Sequence, residues 1–180
     1  MELDFVRARY AVAELLKSFG IDTSSPELEG TPDRVASFWA ERLEGYNFDF
    51  AIELVPLAGQ VPACPIILER IPFTSTCEHH LAPFSGHATL GYVPGNWGVV
   101  GLSKLIKLVH AFANRLQVQE NLTAQIFGAL ETYLQPSAWG VKIVAEHSCI
   151  AHRGVKTQDV PVTTTLIGGT WQQDTPIVFQ

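Results

Sequence analysis

The chain has 180 residues, 47% of them hydrophobic and 17% charged, with a formal net charge of -6. That length and balance describe a soluble globular protein with an ordinary core. The acidic excess excludes nucleic-acid binding through a general positive field, so an anionic ligand has to be met by a local group of cations.

Met1 to Arg7 carries acidic residues and lacks the apolar stretch of a secretory signal, and no run reaches the length of a membrane span. A cytoplasmic location is expected. Cys64, Cys77 and Cys149 are an odd number of cysteines, better read as thiols or ligands than as a disulfide framework, with a Cys77–Cys149 disulfide as the competing reading.

Phe5, Ala8, Val12, Leu15, Leu16 and Phe19 recur at helical spacing, and Gly20 follows as a C-cap. A second helix is predicted from Thr31, an N-cap followed by Pro32, and is expected to bury Val35, Phe38, Trp39 and Leu43. From Tyr46 to Pro65 the chain, with Pro56, Gly59, Pro62 and Pro65, reads as an extended connection. A strand over Ile66–Phe73 then delivers the chain to Cys77, and His87–Val93 alternates as a second strand closed by Pro94-Gly95-Asn96.

Gly101 to Lys104 opens a helix with Leu105, Leu108, Val109 and Phe112 as its apolar stripe, and Lys104 and Lys107 share a face. Another helix runs from about Gln119 through Leu122, Ile126, Leu130 and Tyr133 until Pro136, so the pair forms a crossover between strands. The last strands are Val141–His147 and Val162–Ile167. This order predicts an α+β fold, a mainly antiparallel sheet with helices on one face.

Chemistry concentrates in Cys77-Glu78-His79-His80, where a thiol and an imidazole three residues apart can face one point across a tight turn, the grip used for zinc. Past His147 the chain reads Ser148-Cys149-Ile150-Ala151-His152-Arg153. If the extended conformation persists, His147, Cys149 and Arg153 project to one side. Cys149 then completes a Cys2His set with Cys77 and His80. Three protein ligands leave the fourth tetrahedral position to water, the pattern of catalytic zinc; a closed structural site using Cys64 or another histidine is the alternative.

His79 and His147 flank these ligands and are candidates for general acid or base. His87 and His110 lack such company and are read as structural. Lys104, Lys107 and Arg153, with Ser103 and the amides at its helix start, suit phosphates. Gln119-Glu120 are either polar first-turn residues or a reader of a guanine-like edge, in which Glu120 accepts paired N–H bonds and Gln119 supplies a donor and an acceptor.

Four stretches carry a family resemblance: Ser75 to Phe84, Gly101 to Lys104, Arg115 to Thr123, and His147 to Val155 closely resemble GTP cyclohydrolase I. The likeness runs from the first helix to about Gly169. It implies a tunnelling-fold (T-fold) subunit with an N-terminal helical extension: one domain over 1–180, with a helical part over 1–50 and the catalytic core over 65–170. It also implies a toroidal homodecamer with interfacial active sites, and conversion of GTP and water to formate and 7,8-dihydroneopterin triphosphate, the entry to folate-type and pteridine cofactors.

Carried over from that family, Cys77, His80 and Cys149 match the zinc ligands, and His79 and His147 the acid/base histidines. Gln119 with Glu120 match the guanine-recognition pair, while Ser103, Lys104 and Arg153 match ribose or triphosphate contacts. The chain departs from the pattern at Lys107, where arginine is common, at His152, where an apolar residue is commoner, and after Gly169, where a closing helical segment is usual. Two other readings stand beside this one: a tunnelling-fold relative acting on another purine or pterin, and a non-catalytic zinc-stabilised binding module.

Overall fold

A computed structural model describes residues 3–57 and 64–180. Six helical segments, α1 (Phe5–Ser18), α2 (Thr31–Arg42), α3 (Phe50–Glu53), α4 (Leu102–Ala113), α5 (Gln119–Leu134) and α6 (Ser148–Ala151), accompany five strands, β1 (Ile66–Cys77), β2 (Pro83–Val93), β3 (Leu116–Gln117), β4 (Ala138–His147) and β5 (Val162–Gly169). One sheet runs in the order β3-β1-β2-β4-β5. Among the described residues the β1–β3 pair is parallel and the other ladders are antiparallel.

Alternation along the strands decides which face is buried. Ile71, Phe73, Phe84, Ala88, Leu90, Tyr92, Val141, Ile143 and Ala145 point to one side and form the main core with Leu105, Leu108, Val109, Leu122, Ile126 and Leu130 of α4 and α5. Each large aliphatic side chain buried there contributes roughly 1.5–3 kcal/mol. The opposite face carries a small cluster, Ala138, Trp171 and Phe179, set by the two short 3-10 turns of the C-terminal tail. The predicted arrangement of helices against one face therefore holds.

Several element bounds differ from the sequence reading. β1 continues to Cys77 and β2 starts at Pro83, so the Cys77 turn joins two strands directly as a hairpin loop. The two-residue β3 carries no periodicity and escaped prediction; it exists because Thr76 and Cys77 pair with Leu116 and Gln117. Within the expected extended connection, Glu44–Asn47 forms a 3-10 turn and Phe50–Glu53 a helical turn capped by Asp49, while Gly59 and Pro62 lie outside the described residues. Arg115 ties this segment down: its Nε and one terminal nitrogen both donate to the Gly45 carbonyl, and its guanidinium lies over the rings of Tyr46, Phe50 and Phe112.

Gly30, not Thr31, occupies the N-cap of α2, in the left-handed region at φ 72°, and Phe38 is 55% exposed, so the predicted stripe is only partly covered. α1 ends as expected, with Gly20 at φ +75° just past its last turn. None of its residues is buried, and Phe5, Val6, Tyr10 and Leu15 remain exposed although the helix rests on α2. Among the described residues, no helix is long and apolar enough to cross a membrane.

Candidate metal centre and the residues around it

β1 ends at Cys77, and a tight turn reverses the chain: Leu81 donates its amide to the Cys77 carbonyl at 2.8 Å, and the Cys77 amide donates to the Ala82 carbonyl at 2.9 Å. Leu81 takes φ 52° to close it. The turn aims Cys77 inward, while His79 and His80 stay exposed. Cys77 Sγ and His80 Nδ1 lie 3.9 Å apart.

The third donor arrives by a different route from the one expected. β4 does not stay extended through Cys149; it stops at His147, and Ser148–Ala151 makes one helical turn. The row of His147, Cys149 and Arg153 along one strand face is therefore absent. A helical turn swings residue 149 back toward Cys77, so the sulfurs converge even though the extended spacing is lost. The donor atoms of Cys77, His80 and Cys149 all lie within 4.8 Å of one another.

The 3.9 Å between Cys77 Sγ and His80 Nδ1 is close to what a metal of zinc's size requires. Tetrahedral bonds of about 2.3 Å to sulfur and about 2.0 Å to nitrogen imply donor–donor distances of roughly 3.6–3.8 Å. Burial, and after it the neighbouring Cys77 sulfur, push the Cys149 thiol up from its ordinary value. Two sulfurs this close favour their anionic form only with a cation between them. All three cysteines are free thiols, so the Cys77–Cys149 disulfide is not formed.

His147 sits beside this cluster with its ring stacked on Phe84 at 4.6 Å and 6°. Its Nε2 is 2.9 Å from Gln119 Oε1. Burial lowers its pKa from the ordinary value, and the Glu120 carboxylate acts the other way. Glu120 is exposed and Gln119 buried, although both belong to the first turn of α5. His79 Nε2 is 3.7 Å from Glu78 Oε1. Arg153 and His152 are exposed just beyond α6.

Ser103, Lys104 and Lys107 stand apart from this group. Ser75 donates its hydroxyl to the Ala113 carbonyl at 2.7 Å, which pins the C-terminal end of α4 beside the Cys77 end of β1. Ten residues of helix separate Ser103 from Ala113, roughly 15 Å. At the other end Val100 donates its amide to the Tyr92 hydroxyl, next to the far end of β2. One copy of the chain thus brings Cys77, His79, His80, Glu120, His147, Cys149 and Arg153 to one end of the sheet and leaves Ser103, Lys104 and Lys107 toward the other.

Two partners had no signal in the sequence. Glu53 Oε2 is 2.5 Å from Lys104 Nζ and 3.6 Å from Lys107 Nζ, and the Lys104 hydrogen bond holds the Glu53 carboxyl below the usual carboxylate range. Phe84, quoted in the motif but given no role, supplies the flat surface under His147.

A family model described as GTP cyclohydrolase I matches residues 8–178. GTP cyclohydrolase 1 of Nitrosospira multiformis is 46% identical over 157 residues, which span 86% of this chain and 82% of that protein. The proteins of the same name from Halalkalibacterium halodurans and Mycobacteroides abscessus are 38% and 42% identical, over 96% and 95% of this chain and 92% and 84% of theirs.

Proposed function

The chain belongs to the GTP cyclohydrolase I family, and we propose that it converts GTP and water to formate and 7,8-dihydroneopterin triphosphate at a zinc-dependent site. The observation that carries the metal part is the convergence of Cys77, His80 and Cys149 within 4.8 Å. A zinc ion held by Cys77, His80 and Cys149 would supply the Lewis acidity that activates water at neutral pH. Among the described residues three donors converge and Cys64 is not one of them, which favours a catalytic over a closed structural site.

The chain's own groups carry the rest. Glu120, exposed beside His147, accepts hydrogen bonds from the N–H and amino edge of guanine. His147 moves a proton at the five-membered ring of the base as it opens, and His79 with Ser103 assists opening of the ribose and closure of the new six-membered ring. Lys104, Lys107 and Arg153 hold the triphosphate and so fix the base near the metal.

The separation of Lys104 and Lys107 from Cys77 and His147 supports a site completed by a second copy of the chain. The exposed apolar side chains of α1 favour such an assembly, and a homodecamer is the form the family leads us to expect. Free thiols suit a cytoplasmic protein. Zinc-loaded protein incubated with GTP is expected to release formate and to form a product that oxidises to a fluorescent pterin. Full zinc occupancy without formate would overturn the proposal, and turnover of a different purine would favour the alternative substrate.

Glu53 bears on the phosphate reading directly. It pairs with two of the cations assigned to the triphosphate, so nucleotide binding there has to exchange a carboxylate for phosphate oxygens. Exposed ion pairs of this kind are weak and screened by salt. Glu53→Gln is therefore expected to tighten inhibition by inorganic triphosphate about 2- to 10-fold, an effect that shrinks as salt is added. Weaker inhibition would instead show that Glu53 orients the lysines.

A further inference from the structure

We propose that Gln119 is a positioning residue that fixes which nitrogen of His147 carries its resident proton, and that it does not read the guanine; this rests on the assignment of His147 as a proton-transfer group. Gln119 is 1% exposed, and both ends of its amide are occupied from within the fold. Its Nε2 donates to the backbone carbonyls of Val162 at 2.9 Å and Ile143 at 3.2 Å, and lies 3.2 Å from Thr164 Oγ1.

A backbone carbonyl can only accept, so the amide nitrogen has to face Val162 and Ile143. The reversed amide would set its oxygen against two carbonyl oxygens in a buried place, leaving acceptors without donors. Gln119 Oε1 is therefore the atom turned toward His147 Nε2, 2.9 Å away. An amide oxygen is likewise only an acceptor, so Nε2 of His147 carries the hydrogen. The proton that His147 exchanges with substrate is consequently at Nδ1.

The surroundings lock this orientation. Thr123 donates its hydroxyl to the Gln119 backbone carbonyl at 2.9 Å, which uses its one hydrogen. Thr164, 2.6 Å from Thr123 Oγ1, must then be the donor of that pair, so its hydroxyl hydrogen points away from Gln119 Nε2, whose two hydrogens go to the Val162 and Ile143 carbonyls. Together with the Phe84 stack, Gln119 fixes both the plane and the tautomer of the imidazole.

The test uses the full-length zinc-loaded protein in its native assembly. Gln119→Met keeps length and volume but removes both hydrogen-bonding ends. Its kcat is expected to fall on the order of 10²-fold, the lower part of the range for acid–base groups because His147 itself remains. KM for GTP, zinc content and the preference for GTP over inosine triphosphate, which lacks the 2-amino group, are expected to stay within about 2-fold. Glu120→Ala is the contrast and should lose that preference. A tenfold rise in KM with kcat kept, or loss of the preference in Gln119→Met, would restore Gln119 as a base reader.

Solid-state nitrogen spectra of ¹⁵N-histidine protein, with His147 assigned by its absence in His147→Ala, read the tautomer without any substitution at Gln119. A protonated Nε2 is expected, and a bare Nε2 in the wild-type protein would overturn the proposal even if Gln119→Met fails to fold. Undiminished turnover in His147→Ala would instead remove the premise that His147 moves protons.

Discussion

Cys149→Ala is expected to strip the metal from the site and abolish turnover, whereas His147→Ala keeps the metal and loses turnover alone. The two residues are neighbours in sequence but serve different atoms. The Cys149 sulfur converges with Cys77 and His80, while the His147 ring is held against Phe84 and Gln119. Losing one of three donors leaves only Cys77 and His80, fewer than either structural or catalytic zinc sites use. Losing a general acid leaves binding intact and lowers kcat by roughly 10²–10⁴-fold. Metal content after dialysis, measured beside formate release, separates the outcomes. Equal loss of zinc from both variants would show that His147 belongs to the metal's ligands.

Gly86→Ala is expected to destabilise the fold by more than about 4 kcal/mol, at the severe end for a single substitution. Gly86 pairs with Ala145 on β4, and a methyl group there would stand 2.0 Å from the Val144 carbonyl oxygen and 2.6 Å from the Ala145 Cα. Both obstacles are backbone, so relief requires prising β2 from β4. Phe84 and His147, paired across those same strands, lie only two residues further on, so activity should fall with stability. Gly128→Ala is the control: in α5 nothing lies within 4 Å of the added methyl, and alanine's better helix propensity should raise stability by about 0.5–1 kcal/mol. Denaturant midpoints of the two variants should move in opposite directions; a Gly86 variant as stable as wild type would contradict the close packing of β2 on β4.

Local signals in the sequence were enough for most elements. Apolar spacing marked α4 and α5, Gly20 marked the end of α1, alternation marked β2 and β-branched composition marked β5, because in each case nearby residues decide the conformation. Prediction failed where a distant partner decides. β3 exists through two residues of β1, and α6 breaks a run that reads as strand because Cys149 turns toward Cys77. Burial at Gln119 was equally hidden: it and Glu120 are neighbours in sequence, yet the first turn of the helix points one side chain out and the other beneath β4 and β5.

The sequence by itself determined the class of fold, the family and the donor types at the metal centre, since these depend on residue identity and short spacing. Tertiary structure decided which donors converge, because Cys77 and Cys149 meet only when β1, β2 and β4 lie side by side in one sheet. It also decided the hydrogen-bonded orientation of His147 and the distance that keeps Lys104 away from it. Both follow from how α4 and α5 pack across that sheet, a long-range arrangement that neighbouring residues do not encode.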